Sequence, residues 1–113
     1  MTAYSAPQAV SALGSLAQDH RLAIFRLLVQ AGDAGMAAGD IADRLDMPNS
    51  SLSFHLAHLE RSGLVSRTRE GRSLIYGADY AAMNRLVSYL MENCCGGECH
   101  VSQLSDTLER IAS

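Results

Sequence analysis

The sequence predicts a mostly α-helical fold with one small β-hairpin, built as a single domain over residues 1–113. Three observations carry this. Apolar residues recur every three or four positions through the first half of the chain and again from Tyr80 to Leu90, the spacing of one helix face. Between these stretches, two short runs meet at Glu70-Gly71, a hairpin signal. Hydrophobic residues make up 48% of the chain and charged ones 19%, which suits a packed core and excludes disorder by composition.

The first helix opens at Ser5-Ala6-Pro7-Gln8, with a capping-box pattern and an early proline. Val10, Leu13, Leu16 and Ala17 form its apolar stripe. Asp19 caps a second helix over about 20–30. There Leu22, Ile24, Phe25, Leu27, Leu28 and Val29 are apolar nearly all round, as in a buried helix. Gly32 ends it, and Gly35-Met36-Ala37 reads as a short extended piece.

A third helix over about 38–45 points Ile41, Ala42 and Leu45 inward, and Asp46-Met47-Pro48 turns the chain. The fourth, over about 49–62, ends at Gly63 and has Leu52, His55, Leu56 and Leu59 as its inward stripe. Its outer face carries Asn49, Ser50, Ser53, Phe54 and Ala57. Two short helices joined by a tight turn, the second polar outside, predict a helix-turn-helix. Strands at 64–69 and 72–76 follow, so the hairpin is a wing. Asp79 caps a last long helix over about 80–93, where Tyr80, Met83, Val87 and Leu90 form a seam fit to pair with another helix. The core is read as about 5–95, with a C-terminal segment at 94–113 whose Val101, Leu104, Leu108 and Ile111 make a further amphipathic turn or two.

Aromatic residues are few and tryptophan is absent, so the core is expected to be aliphatic. A chain this small buries little surface by itself, and a subunit interface is expected. The N-terminus lacks the basic start and long apolar run of a signal peptide, and no stretch approaches membrane-spanning length. The expectation is a cytoplasmic protein with reduced thiols. Its odd number of cysteines argues against a structural disulfide framework.

The formal net charge of -3 counts against a general nucleic-acid binder. It leaves room for a specific one, because the charge is segregated. Arg61, Arg67, Arg69 and Arg72 outnumber Glu60 and Glu70 within 60–77, while most acidic residues lie on either side. The major groove of B-DNA admits one helix and is read from that helix's first turns. Asn49, Ser50, Ser51, Ser53 and Phe54 occupy those turns. Asn can pair with adenine, Ser with either kind of base edge, and Phe54 can touch a thymine methyl. Arg67, Arg69 and Arg72 on the wing can hold phosphate or enter the minor groove. His55 is expected to pack on the inward face and His58 to lie in solvent or near the backbone. They stand one turn apart, as metal ligands can, but no third ligand is near in sequence.

All three cysteines fall within six positions, at Cys94, Cys95 and Cys99. Thiolates are soft, and three of them in one short loop suit a thiophilic ion. Two other readings stay open: a thiol redox sensor with Cys99 as disulfide partner, and a Cys3His zinc or cadmium site that adds His100. An enzyme is not expected. Cys beside His supplies neither a pocket nor an orienting group, and no Gly-rich phosphate loop or paired-carboxylate motif is present.

The run Ser51-Leu52-Ser53-Phe54-His55-Leu56-Ala57-His58-Leu59-Glu60-Arg61-Ser62-Gly63-Leu64-Val65, with Arg69-Glu70-Gly71-Arg72 and Tyr76, resembles the ArsR/SmtB family of bacterial metal-sensing repressors. The likeness reaches back through Asp19-His20-Arg21-Leu22 and Ile24-Phe25-Arg26-Leu27-Leu28, and covers roughly 10–95. It implies a homodimeric winged helix that binds double-stranded operator DNA and lets go when an ion binds. It places the dimer interface on the first and last helices, here at Val10, Leu13, Tyr80, Met83, Val87 and Leu90.

Founding arsenic sensors of the family carry Cys-x-Cys before the recognition helix, where this chain has Ala37, Ala38 and Gly39. Zinc sensors use Asp and His on the last helix, which here contains no histidine. Another arsenic branch has adjacent cysteines at the end of that helix and a third shortly after, as Cys94, Cys95 and Cys99 do. The resemblance therefore implies As(III) as effector, with Sb(III) as an alternative thiophilic ion, and no organic cofactor.

Overall fold

The structure, a computed structural model, describes residues 4–93. Five helices and a three-stranded sheet run in the order α1 (Ala6–Leu16), α2 (Asp19–Ala31), β1 (Met36–Ala37), α3 (Ala38–Leu45), α4 (Asn49–Arg61), β2 (Val65–Glu70), β3 (Ser73–Ala78) and α5 (Tyr80–Leu90). A 3-10 turn, Gly32–Ala34, links α2 to β1. The predicted class stands: mostly helical, with a helix-turn-helix in α3–α4 and a wing in β2–β3. The expected turns at 101–111 lie outside the described residues.

The capping box of α1 forms as the sequence dictates. The Ser5 hydroxyl accepts from Gln8 N–H, and Gln8 Oε1 accepts from the Ser5 N–H at 2.7 Å. The inward face of α1 is made by small residues, and two members of the apolar stripe, Val10 and Leu13, lie outside it. Ala9, Ala12 and Ser15 are buried, whereas Val10 is 69% and Leu13 43% exposed. Small side chains let α1 approach α2 and α4 closely, and the larger apolar ones are left facing outward.

α2 also departs from expectation in two ways. Its N-cap is Gln18, whose side chain accepts from Arg21 N–H at 2.9 Å, and Asp19 is the first helical residue. The helix is buried on one side only, through Ile24, Phe25 and Leu28, while Leu22 is exposed. The core is aliphatic with two aromatic additions: Ile24, Leu28, Ile41, Leu52, Leu56, Leu59 and Leu64 are its fully buried members, joined by Phe25 and Tyr76.

β1, the short extended piece, is the third strand of the sheet. The spatial order is β1-β3-β2, all antiparallel, with Met36 opposite Tyr76. Gly35 makes this approach possible. It has φ +67, and a Cβ there would lie 2.5 Å from the Tyr76 carbonyl oxygen. The wing turns one residue later than predicted. Glu70 pairs with Ser73, so Gly71 (φ 62) and Arg72 form a two-residue loop.

Asp79 caps α5 by accepting from Ala82 N–H at 3.0 Å. The helix ends at Leu90 rather than near 93, and Asn93 has φ 59. Its buried positions are Ala82 and Leu86. The seam of Tyr80, Met83 and Val87 is half-buried along one flank, and Leu90 is exposed.

Candidate nucleic-acid interface

α4 is held from below by Leu52, Leu56 and Leu59, all buried against α2 and α3. That seating fixes which side faces out. Asn49, Ser50, Ser51, Ser53 and Phe54 are all exposed, and Phe54 keeps 62% of its surface. Phe54 thus presents a large aromatic side chain on the same face as three serines. The Pro48 N-cap makes no side-chain hydrogen bond to the first turn, so the free N–H groups of that turn remain available to an anion.

On the wing, Arg67 and Arg69 share one face of β2 because side chains alternate along a strand. Both are exposed, as is Arg72 at the loop tip. Arg67 is not a free cation. Its Nε lies 3.3 Å from Glu60 Oε2 at the end of α4, an ion pair that braces the wing against the recognition helix. All nine basic residues of the chain are arginines. Guanidinium stays charged at any working pH and can grip phosphate oxygens in pairs.

Of the two histidines of α4, His55 packs against α2 as the sequence suggests, half-buried at the edge of the core. Its Nδ1 accepts from the Arg21 guanidinium at 3.4 Å, and its ring stacks on His20 with centroids 5.4 Å apart. Burial, then the Arg21 guanidinium, then His20 and His58 hold its pKa below the ordinary 6.5. The sequence places His58 in solvent or near the backbone phosphates. It is half-buried, and its Nδ1 is 2.8 Å from Ser15 Oγ. A histidine that accepts from arginine through Nδ1 carries its proton on Nε2. Among the described residues, no group of three His, Cys, Asp or Glu side chains is placed to hold a metal ion.

Val10, Leu13 and Leu90 stand exposed on α1 and α5, with Met83 and Val87 half-buried and Tyr80 donating its hydroxyl hydrogen to the Val29 carbonyl at 2.9 Å. Cys94, Cys95 and Cys99 lie outside the described residues. The helix expected to run to about 93 stops at Leu90.

A helix-turn-helix with a polar, arginine-flanked outer face and a β-wing defines a DNA-binding regulator. Residues 16–68 match the family profile described as helix-turn-helix domain. The transcriptional activator HlyU of Vibrio cholerae is 31% identical over 88 residues, covering 78% of this chain and 79% of that protein. The HTH-type transcriptional regulator YgaV of Escherichia coli is 29% identical over 91 residues, 80% of this chain and 90% of that one. The solved structure of HlyU superposes with a TM-score of 0.63 at 30% identity, over 79% of this chain and 94% of its own. A homodimeric winged helix-turn-helix domain from Mycobacterium bovis, described as a possible ArsR-family regulator, gives 0.61 at 25% identity, over 88% and 99%. The chain belongs to the ArsR/SmtB-like family of winged helix-turn-helix transcriptional regulators. It is a regulator and not an enzyme. No helix among the described residues is long and apolar enough to cross a membrane.

Proposed function

We propose that this chain is a homodimeric repressor that grips operator DNA with Asn49, Ser50, Ser51, Ser53 and Phe54 of α4 and Arg67, Arg69 and Arg72 of the wing, and releases it when As(III) or Sb(III) binds Cys94, Cys95 and Cys99. The observation that carries the reading is the cysteine triad itself, which begins four residues after α5 ends at Leu90. Trivalent arsenic and antimony bond strongly to sulfur and favour three ligands, whereas structural zinc takes four. The donor set fits that chemistry. The exposed apolar positions Val10, Leu13 and Leu90 suit a subunit interface on α1 and α5.

Release follows from mechanics. Neighbouring residues diverge in direction, so drawing the Cys94 and Cys95 sulfurs together reshapes the chain next to the α5 terminus. α5 flanks the dimer face, and the two recognition helices must stay about one DNA turn apart to engage both half-sites. The coupling is reciprocal and of the order of 1–3 kcal/mol in typical regulators. A gel shift with reduced protein and increasing arsenite tests it. Wild type is expected to let go, while Cys94→Ser and Cys95→Ser bind DNA normally and hold on. Normal release from either variant removes the assigned role.

A second reading draws on a relative. One solved form of the Vibrio cholerae protein is described as reduced HlyU, 30% identical over 79% of this chain, which favours a thiol redox switch on the same fold. Release by peroxide, reversed by dithiothreitol and insensitive to arsenite, would select it.

A further inference from the structure

His20 and His55 sit on different helices, α2 and α4, yet their rings stack at 5.4 Å and 27°. Each ring is oriented by a neighbour that can only donate. Gln18 Nε2 is 3.1 Å from His20 Nδ1, and Arg21 Nη1 is 3.4 Å from His55 Nδ1. Both Nδ1 atoms therefore accept, and both Nε2 atoms carry hydrogen. The same Gln18 amide caps α2 through its oxygen, so the cap and the His20 tautomer are set together. Beside the two rings lies a cavity of about 290 Å³, lined by His20, Asp46, Met47, Pro48, Ser51 and His55. It borders the first turn of α4 and adjoins the reading face, since the Phe54 ring packs edge-on against His55 at 5.5 Å.

The pairing is odd for a structural role. Two imidazoles and a guanidinium crowd one corner, and the carboxylate at its rim is Asp46. With both rings neutral the Arg21 and Asp46 charges balance. Each proton taken up adds one positive charge to a corner that also offers the Nε2–H groups and the Ser51 hydroxyl. We propose that this cavity seats a backbone phosphate of bound DNA, and that seating it draws a proton from solvent onto the His20–His55 pair. The charged and titratable groups around the pair are Arg21 from α2, His58 from α4 and Asp46 from the turn. A phosphate monoanion outweighs the repulsion among them, so protonation and DNA binding favour each other. The seat rests on the DNA-binding reading but not on the thiols.

The probe is the duplex that purified full-length protein selects from a random-sequence pool, with no arsenite present. Its affinity is measured by fluorescence anisotropy between pH 8 and pH 6. Wild type is expected to bind about three- to tenfold tighter for each unit of acidification, in proportion to the protons taken up. His20→Asn, at an exposed position, is expected to flatten this dependence and to lower the salt slope by about one per seat. His20→Arg supplies the charge permanently, and is expected to bind tightly with little response to pH. Parallel pH profiles for wild type and His20→Asn overturn the seat, as does a pH-independent wild type. Ring signals of His20 that shift with millimolar inorganic phosphate as they do with the duplex would make the cavity a free-anion site and remove the DNA assignment.

Discussion

Ser15 Oγ lies 2.8 Å from His58 Nδ1, which joins the C-terminal end of α1 to the recognition helix across 43 positions of sequence. The serine is the one buried polar residue among those described, at 0% exposure. Its hydroxyl also reaches the His58 carbonyl at 3.4 Å, and its own carbonyl accepts from Arg21 Nε at 2.7 Å. One residue of α1 thus fixes the places of α2 and α4. A helix assigned to the dimer face is in this way hydrogen-bonded to the helix assigned to DNA, and a shift of one is felt by the other.

Ser15→Ala is expected to lower stability by about 1–2 kcal/mol, the usual loss when a buried hydrogen bond is broken and its partner left unsatisfied. Urea unfolding should show a lower midpoint with an unchanged slope. His58→Ala should cost a similar amount. The double variant should lose less than the sum, since the two changes remove the same bond. Additive losses would mean that the two residues matter only for packing.

The Glu60–Arg67 ion pair makes a different kind of prediction. Both side chains are partly exposed, so the pair contributes little to stability, about 0–1 kcal/mol. Its weight is in binding. Glu60 holds Arg67 against α4 and places a negative charge where phosphate would come. Glu60→Gln is expected to leave the unfolding midpoint nearly unchanged and to tighten DNA binding about two- to fivefold, with a steeper dependence on salt. Anisotropy titrations at several salt concentrations check it. Unchanged affinity would mean that Arg67 does not meet the backbone.

Much of this was legible in the sequence because local rules and tertiary packing agree. α3 runs Ala38–Leu45 as read, since Ile41 and Ala42 mark one inward side and Asp46 leaves the helix in a left-handed conformation (φ 51). What stayed hidden depends on distant partners. Apolar spacing in α1 marks Val10 and Leu13 correctly as a stripe, but spacing cannot say whether a stripe meets the core or a neighbouring subunit. Small residues at Ala9, Ala12 and Ser15 carry the inward face instead, because close helix approach selects small side chains there. His58 could not be paired from sequence, because its partner lies on another helix. The His20–His55 stack escaped notice for the same reason. The thiol cluster is legible only as chemistry, being outside the described residues.

Acid should weaken the fold through His55. Its imidazole is harder to protonate in the folded chain than in the unfolded one, chiefly because burial and then Arg21 oppose the charge. The unfolded chain therefore takes up the proton first. The stability that neutral His55 supports is complete above the ordinary value of 6.5, declines as pH falls below it, and levels off under the depressed folded value. Urea unfolding from pH 8 to pH 5 should show this decline in wild type and a smaller one in His55→Gln. Equal slopes would assign the acid sensitivity to other groups.

The exposed apolar positions of α1 and α5 set the last prediction. Val10 and Leu13 on α1 and Leu90 on α5 are three of the five large apolar side chains left exposed among the described residues, the others being Leu22 and Phe54. Leaving such side chains in water costs about 25 cal/mol for each Å² of apolar surface, and a second copy of the chain can cover those of α1 and α5 by symmetry. Replacing Leu13 or Leu90 by Glu puts a like charge on both sides of a twofold contact. Each variant should sediment as a monomer at micromolar concentration where wild type is expected to sediment as a dimer, and should keep its helical circular dichroism. DNA binding should weaken at least tenfold, because a monomer engages one half-site in place of two. A dimer that survives both changes would move the interface away from α1 and α5, and with it the route from the cysteines to the recognition helices.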